Sequence, residues 1–511
     1  MFQGSPHRTE PPPRCLLALL CGLLGVLLLH SSSTSAATKS GRTLPGGIPK
    51  SPPLVAGFPL PFHRTVDYRP QNGAVVATDL EPDGKADLVV SIPTGIVTVI
   101  GANGAVRAGW PRTFDSLPQP AYPVGAPGVG DLQGDGSIEI VVCVVSGTNS
   151  RKNYLYAFTA DGRDLPGWPV ELSSQGDGYY SCSPAGVLLA DIAGDKRPEI
   201  LRGMNQDEVQ AYSANGKPCP GWPVRLSPDA FGNVRGINSE LAAADLDGDG
   251  HSEVIFVESG LEPRLVAVAG TGQVMPGFPR ILPEVVDRQA PVAADLDGDH
   301  LPELVQATLP FSGNFLESTL LDLSATAPTV PERPAELHVM GVDGSPKPGW
   351  PRDMASGGPW GSVLADLRGD KRLEIVQQDG DLLYAYDAMG QVLSGFPNPL
   401  HRDFLRSDSM TDSPWVVGDL DGDGAPDLLQ TRSDFYAGSS YMRVFGQRQG
   451  GQPVRGFPFD MAGSSAASNP VLVDLTGDHQ TDLVLLAIDG NGGGYSLIAW
   501  DLGAFARGQG F

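Results

Sequence analysis

The sequence predicts an all-β fold, an eight-bladed β-propeller of four-stranded antiparallel blades with the ring closed by an N-terminal strand. Two observations favour it: a Gly-rich acidic loop between β-rich runs and a Gly-aromatic-Pro tripeptide each recur eight times, in a fixed order. Helical periodicity of useful length is absent. Repeats long enough for four short strands are typical of propeller blades, whereas a linear β-solenoid usually has much shorter repeats. The alternative is a seven-bladed propeller, in which one copy of the repeat is an irregular insertion and does not form a blade.

The acidic loops give the repeat its period. We number them loop 1 to loop 8 in chain order, and each spans nine residues, whose first residues are Asp79, Asp131, Asp191, Asp245, Asp295, Asp366, Asp419 and Asp474. The Gly-aromatic-Pro tripeptides begin at Gly57, Gly109, Gly167, Gly221, Gly277, Gly349, Gly395 and Gly456. A Leu/Tyr-rich alternation, as at residues 154–158, lies between the two marks in a looser form.

Each repeat therefore reads as four strands, A to D. Strand A runs into the first Asp of the loop, as at residues 291–295, and strand B follows the loop, as at residues 139–142. Strand C is the Leu/Tyr-rich alternation. Strand D starts at Gly-aromatic-Pro, because proline is tolerated at the first position of an edge strand.

The two ends of the chain predict how the ring closes. The tripeptide at Gly57 begins a strand D with no A, B or C before it, whereas the last repeat has A (470–473), B (483–487) and C (495–500) but no D. The first strand can therefore complete the last blade and remove an open sheet edge.

Composition narrows the function. The 511 residues carry a formal net charge of −24, with 35 Lys and Arg against 59 Asp and Glu. A hydrophobic fraction of 41% excludes a mainly disordered chain. The negative charge argues against nucleic acid or an anionic membrane surface as the main partner. It fits an exported protein or one that binds cations.

The N-terminus predicts export. Arg8 and Arg14 precede an apolar run at residues 15–29 that is short for a membrane span, and small residues follow it. We assign residues 1–37 to a signal peptide, 38–56 to a Gly/Pro/Ser-rich tether and 57–511 to a single propeller domain; an uncleaved anchor is the alternative. The predicted location is secreted, periplasmic or cell-surface, and the sequence predicts no transmembrane span in the mature chain.

Three cysteines remain after the signal peptide. Cys143 lies in a Val-rich run and is interpreted as a small core residue. Cys182 and Cys219 could pair in an oxidising compartment, although the sequence does not show that they meet.

Loop 4 shows the acidic pattern in full, with Asp245, Asp247, Asp249 and Glu253 at positions 1, 3, 5 and 9. A loop that curls round an ion presents alternate residues inward. Oxygen ligands in a flexible loop without His or Cys ligands favour Ca²⁺, with a backbone carbonyl at position 7 as a further ligand. The alternative for every loop is a hydrogen-bonded Asx turn without metal.

This pattern, Asp-x-Asp-Gly-Asp-Gly-x-x-Asp/Glu between strands and repeated with Gly-Phe/Trp-Pro, resembles the FG-GAP/VCBS-type repeat that also forms the propeller of integrin α subunits. The resemblance covers about residues 57–503. It implies Ca²⁺ between strands A and B and partner-binding loops on the opposite face. Integrin-like adjoining domains are not seen, so an integrin-type role does not carry over.

The eight loops are unequal. The predicted Ca²⁺ ligands are the acids of six loops, and the ions are expected to be structural: Asp245, Asp247, Asp249 and Glu253; Asp295, Asp297, Asp299 and Glu303; Asp419, Asp421, Asp423 and Asp427; Asp79, Glu81, Asp83 and Asp87; Asp131, Asp135 and Glu139; and Asp474, Asp478 and Asp482. Loops 3 and 6 carry Lys and Arg among their acids, so a cationic side chain is expected to take the place of an ion there.

The predicted partner is an extracellular glycan or protein, bound on the face opposite the calcium loops. The longer loops of that face, 173–182, 226–240, 308–336, 401–412 and 432–440, set aromatic residues beside Asn, Asp and Arg. The alternative is a structural role, in which these loop residues fold back and cover the ends of the blades.

We find no catalytic motif and assign no catalytic residue. The sequence favours a binding or adhesion module over an enzyme. The alternative is a calcium-dependent carbohydrate-active enzyme, such as a polysaccharide lyase, for which Arg235, His401, Arg402 and Arg406 are the candidates.

Overall fold

The computed structural model describes residues 51–63, 73–147, 152–172, 186–203, 208–228, 236–237, 239–258, 263–282, 290–309, 334–357, 361–400, 411–436, 439–462, 464–489 and 494–506. All of them belong to one unit of the chain, Ile48–Phe311 with Arg333–Phe511. The predicted signal peptide, most of the tether and the other unit, Met1–Gly47 with Ser312–Glu332, lie outside the described residues.

The first four blades follow one another along the chain, each in the order A, B, C, D. Their strands are β2 (Ala74–Thr78), β3 (Asp87–Ile92), β4 (Ile96–Ile100) and β5 (Arg112–Thr113) in blade 1; β6 (Ala121–Gly130), β7 (Glu139–Ser146), β8 (Lys152–Thr159) and β9 (Val170–Leu172) in blade 2; β10 (Leu188–Ala190), β11 (Glu199–Gly203), β12 (Glu208–Tyr212) and β13 (Val224–Arg225) in blade 3; and β14 (Ala242–Ala244), β15 (Glu253–Glu258), β16 (Arg264–Val268) and β17 (Arg280–Ile281) in blade 4.

The other four blades repeat the order. Their strands are β18 (Val292–Ala294), β19 (Glu303–Ala307), β20 (Ala335–Met340) and β21 (Arg352–Met354) in blade 5; β22 (Val363–Ala365), β23 (Glu374–Asp379), β24 (Leu382–Tyr386) and β25 (Asn398–Pro399) in blade 6; β26 (Thr411–Asp412), β27 (Val416–Gly418), β28 (Asp427–Tyr436), β29 (Ser439–Gln447) and β30 (Phe459–Ala462) in blade 7; and β31 (Ser464–Ala466), β32 (Val471–Val473), β33 (Asp482–Asp489), β34 (Gly494–Asp501) and the N-terminal β1 (Leu60–His63) in blade 8. A short helix, α1 (Leu502–Ala506), follows β34.

Strand A of blades 7 and 8 is split into two pieces that both pair with strand B. Pro414 and Pro470 lie in the gaps, because proline has no N–H to contribute to the ladder. In each gap a serine hydroxyl takes the place of a backbone acceptor. The Oγ of Ser413 accepts a hydrogen bond from the N–H of Thr431 at 3.0 Å, and the Oγ of Ser468 accepts one from the N–H of Leu486 at 3.0 Å. The interruption therefore leaves these backbone donors of strand B satisfied.

The ring closes as the sequence predicts. Strand β1 pairs antiparallel with β34, with Leu60 opposite Leu497 and Phe62 opposite Tyr495. Phe58, Leu60 and Phe62 join an apolar cluster that also holds Leu88 of blade 1. The N-terminal segment thus supplies strand D of blade 8, and the fold is an eight-bladed propeller.

Apolar side chains fill the spaces between neighbouring blades. One cluster joins Val141 and Leu155 of blade 2 to Ile200 and Tyr212 of blade 3. Strand β7 is buried along its whole length, because neighbouring blades cover both of its faces. The core is therefore a series of packed interfaces between blades.

The Gly-aromatic-Pro tripeptide connects each blade to the next. Strand D begins at the residue after the proline in all eight copies. Gly109 has a φ of +84°, and a Cβ there would overlap the carbonyl oxygen of Asp161 in blade 2. Only glycine allows both this backbone conformation and this close approach.

The cysteines differ from the interpretation of the sequence. Cys143, 1% exposed in β7, is disulfide-bonded, and its partner lies outside the described residues. Cys219 is a free cysteine, so the suggested pairing of Cys182 with Cys219 is wrong. The Val-rich run predicted burial correctly, but burial did not exclude a bond from Cys143 to a distant part of the chain.

Candidate metal centres

The acidic loops occupy one repeated position in the fold. In every blade, strand A ends just before position 1, and the acid at position 9 is the first residue of strand B. The residue at position 2 is apolar and buried, as with Leu246, which is 0% exposed. Each loop is therefore anchored in the core by the apolar residue at position 2 and by the buried acid at position 9.

Backbone N–H groups fix the curl of the loop. In loop 4, Asp245 accepts hydrogen bonds from Gly248 at 2.7 Å, Asp249 at 3.1 Å and Gly250 at 2.9 Å. Glu253 Oε2 accepts the N–H of Leu246 at 2.7 Å. The loop is thus a closed hydrogen-bonded turn, as the metal-free alternative requires, and its remaining carboxylate oxygens stay available for an ion.

Three loops bring acidic oxygens together closely enough for one ion. Within each group, one oxygen from every acid lies within 4.8 Å of the others; the groups are Asp245, Asp247 and Glu253 in loop 4, Asp295, Asp297 and Asp299 in loop 5, and Asp419, Asp421 and Asp427 in loop 7. These are the three loops that carry the full pattern in the sequence. Each group could hold a metal ion.

Loop 4 has uncompensated negative charge. Burial, followed by the charges of Asp247, Asp249 and Asp245, raises the pKa of Glu253 to about 7 against the backbone hydrogen bond from Leu246. Among the described residues, no Lys or Arg head lies within ion-pair distance of these carboxylates, and the His251 imidazole is 3.8 Å from Asp249. A divalent cation would relieve this repulsion.

Loop 5 differs because a lysine reaches into it. Lys347 Nζ lies 2.7 Å from Asp297 Oδ2, 2.8 Å from Glu303 Oε1 and 3.8 Å from Asp299 Oδ2. Burial opposes the charge, but the hydrogen bonds and charges of Asp297 and Glu303 raise the pKa of Lys347. The ammonium therefore sits among three acids of the loop.

In loop 7 an arginine approaches from the side. Arg448 forms an ion pair with Asp421 and lies 3.6 Å from Asp423. Burial, followed by the charges of Asp421 and Asp423, raises the pKa of Asp427 to about 7. Oδ1 of Asp421 is buried without a hydrogen-bond partner among the described residues.

An arginine from outside the loop also reaches loop 1. Arg107 lies 2.7 Å from Glu81 Oε2 and 2.6 Å from Asp87 Oδ1. Asp79 accepts the N–H of Gly84 at 2.9 Å, and Asp83 accepts that of Lys85 at 2.9 Å. The acids of this loop are thus compensated within the protein.

Loops 2 and 8 carry neutral polar groups at position 3. Gln133 donates to Glu139 Oε1 at 3.2 Å, and Thr476 donates to Asp478 at 3.1 Å. Asp482 is 0% exposed, and its Oδ1 has no hydrogen-bond partner among the described residues. Burial raises its pKa to about 6.

The other predicted ligands of these two loops, Asp131, Asp135 and Asp474, accept backbone hydrogen bonds within their own loops.

Loops 3 and 6 contain the cations noted in the sequence. Arg368 Nη2 lies 2.7 Å from Glu374 Oε1, at the position where Lys347 meets Glu303 in loop 5. Arg197 pairs with Asp195 at the rim of loop 3. An arginine therefore contacts the position 9 acid in loop 6 but not in loop 3.

Neighbouring loops contact one another. Ser252 of loop 4 donates its N–H to the carbonyl oxygen of Asp191 in loop 3 at 2.9 Å. Lys347 and Arg107 belong to turns between strands C and D, so their ion pairs place those turns on the face of the acidic loops. In an antiparallel blade the A–B and C–D turns are expected on the same face, and these ion pairs agree with that arrangement.

The sequence did not reveal Arg107, Lys347 or Arg448 as part of the acidic loops, because they lie far away along the chain. Arg107 and Lys347 each lie two residues before Gly-aromatic-Pro, and that spacing is the signal that could have found them. Arg235, His401, Arg402 and Arg406 lie outside the described residues, as do most residues of the other long loops assigned to partner binding. The assignment of residues 432–440 to a long loop is wrong, because 432–436 belong to β28 and 439–440 to β29.

Within the described residues, no helix is long and apolar enough to cross a membrane.

Comparison with known proteins finds likeness in solved structures only. No family model matches the chain, and no curated protein sequence matches it. The chain is similar to the V. cholerae biofilm matrix protein Bap1, with a TM-score of 0.49 and 16% identity over 84% of this chain and 88% of that one.

Two further structures give lower scores. BBS1N in complex with ARL6DN has a TM-score of 0.41 and 12% identity over 88% of this chain and 97% of that one. The Pseudomonas aeruginosa PilY1 C-terminal domain has a TM-score of 0.33 and 12% identity over 84% of each chain.

Proposed function

We propose that this protein is a secreted, calcium-stabilised β-propeller of the FG-GAP/VCBS type that acts as a binding or adhesion module for an extracellular glycan or protein. The observation that carries the calcium role is loop 4, where Asp245, Asp247 and Glu253 converge with no cationic side chain among the described residues to neutralise them. Carboxylate oxygens in a glycine-containing loop suit Ca²⁺.

The ion has a structural role in this proposal. Asp245, at position 1 of loop 4, already accepts hydrogen bonds from three backbone N–H groups. Glu253, at position 9, accepts one from the N–H of the buried Leu246. An ion added to this frame ties the A–B turn together and couples the order of the blade to calcium. Chelation should therefore lower stability.

The disulfide bond at Cys143 supports an extracellular location, since such bonds persist in oxidising compartments. The apolar N-terminal run at residues 15–29 also supports export, because it has the length and flanking residues of a signal peptide. Partner binding is proposed for the face opposite the acidic loops, to which the sequence analysis assigns the longer loops.

A glycan panel tests this function. The mature chain, secreted from its own signal, is applied to the panel with Ca²⁺ and with a chelator, and the supernatant is analysed for unsaturated sugar products. Calcium-dependent retention without products supports the module. Release of unsaturated products would replace it with the lyase alternative, and retention by no glycan would leave a protein as the proposed ligand.

A further inference from the structure

One backbone position near each loop is the same in different blades but carries different side chains. It lies two residues before Gly-aromatic-Pro, and its N–H donates to strand C: Lys347 to Val339 in blade 5, Arg107 to Val99 in blade 1 and Met275 to Ala267 in blade 4, each at 2.9 Å. We call it the turn position. Shared backbone pairing makes these residues equivalent.

A cation at the turn position enters the acidic loop of its own blade. Lys347 contacts Asp297 and Glu303 of loop 5, and Arg107 contacts Glu81 and Asp87 of loop 1. In both loops the contacted acids occupy positions 3 and 9. The same device is therefore built twice, once with an ammonium and once with a guanidinium.

Blade 4 has the opposite arrangement. Met275 is 9% exposed and packs in an apolar cluster with Leu246, the residue at position 2 of loop 4. Its side chain brings no charge to Asp247 or Glu253, which occupy the positions that Lys347 contacts in loop 5. Met275 and Lys347 each precede a Pro-Gly-aromatic-Pro sequence, so the chain around the turn position is similar in blades 4 and 5.

We propose that Lys347 is a built-in counter-ion that takes the place of a divalent cation in loop 5. Its Nζ lies 2.7 Å from Asp297 Oδ2 and 2.8 Å from Glu303 Oε1, and Asp297 is one of the three acids of loop 5 whose oxygens converge. The ammonium therefore occupies an oxygen that an ion in this loop would use. Arg107 does the same in loop 1. Loop 4, with methionine at the turn position, needs an external ion.

The ammonium and the ion both reduce the repulsion between the loop carboxylates, but they differ in how they are held. Either positive charge relieves the repulsion between carboxylates held close together. The tethered ammonium is always present, whereas the stabilisation by a free ion depends on its concentration relative to its Kd. Calcium dependence would then be confined to blades without a cation that reaches position 9.

This inference rests on the proposed calcium role of the loops, and a reciprocal exchange tests it. The mature chain is prepared as wild type, K347M, M275K and the charge-retaining K347R. Calcium binding is titrated calorimetrically after removal of bound ions, and Tm is measured with Ca²⁺ and with a chelator.

We expect K347M to bind about one more Ca²⁺ per chain than wild type, and its Tm to fall in chelator and recover in Ca²⁺. K347R should bind as wild type does. M275K should bind about one Ca²⁺ fewer, with a smaller response of Tm to chelator.

The outcomes separate this inference from the proposed function. If K347M keeps the wild-type calcium stoichiometry, or loses stability equally with and without Ca²⁺, the counter-ion role of Lys347 is wrong even if wild type binds calcium. If wild type binds no calcium but K347M does, the counter-ion role stands and the proposed calcium role of loop 4 falls.

Discussion

The indole Nε1 of Trp168 donates a hydrogen bond to the carbonyl oxygen of Ala214, 2.8 Å away in the following blade. The same bond joins Trp110 to Ala160, Trp222 to Gly270 and Trp350 to Ala388, at 2.8 to 2.9 Å. The tryptophans of the Gly-aromatic-Pro repeat therefore hold neighbouring blades together by a directed bond as well as by apolar contact.

We expect Trp168→Phe to lower the free energy of unfolding by ~1 kcal/mol beyond the apolar loss, because a neutral hydrogen bond contributes about that much and the Ala214 carbonyl would lose its partner. Urea unfolding followed by circular dichroism measures this. Phe278→Leu, in a repeat whose aromatic residue has no indole, gives the packing loss alone. Equal shifts of the two midpoints would show that the indole bond adds nothing.

Ring closure depends on the pairing of β1 with β34. A chain that begins after residue 63 lacks strand D of blade 8 and exposes the edge of β34. We expect it to melt several degrees lower than a chain that begins at residue 51, and to associate through the open edge. Differential scanning calorimetry and light scattering check both effects. Equal Tm values with a monomeric truncated chain would contradict the closure.

Cys219 is expected to be an unreactive thiol. Burial, followed by the charge of Glu199, raises the pKa of its thiol to about 12. At pH 8 only on the order of one molecule in ten thousand carries the thiolate, against roughly a quarter for an ordinary cysteine.

Iodoacetamide should therefore modify native Cys219 far more slowly than the urea-unfolded chain, and Cys219→Ser should lose the signal. Without reductant, the unfolded mature chain should react at Cys219, while Cys143 stays protected in its disulfide. Alkylation at the rate of an exposed cysteine would contradict the partly buried setting of this thiol.

The repeat made the fold predictable. Each proline of Gly-aromatic-Pro marks the start of a strand D because it has no N–H to pair, and each position 9 acid marks the start of strand B. The unpaired marks at the two chain ends gave the pairing of β1 with β34, since a lone strand D and a blade without one complete each other. Local patterns thus determined the order of the strands.

The candidate sites were predictable only in part. The acids of loops 4, 5 and 7 are close in sequence, so their spacing alone indicated that they converge. Lys347 reaches loop 5 from a turn more than forty residues away from Glu303, after strands B and C. Its contact depends on how the blade folds back on itself, which loop spacing does not encode. The disulfide of Cys143 escaped prediction for the same reason.

The account depends most on calcium at loop 4. Asp247→Asn keeps the shape of the side chain at position 3 but removes its charge, and the same change at Asp297 in loop 5 is the control, because Lys347 already occupies that loop. An ion held at about a hundred times its Kd stabilises the fold by ~2.7 kcal/mol, and a tenfold weaker site loses ~1.3 kcal/mol of this.

The most direct measurement is the Tm of wild type, D247N and D297N in Ca²⁺ and in chelator. The account predicts that chelator lowers the Tm of wild type and D297N by similar amounts and that of D247N by clearly less. A wild-type Tm that chelator leaves unchanged, or a D247N response as large as that of wild type, would contradict it.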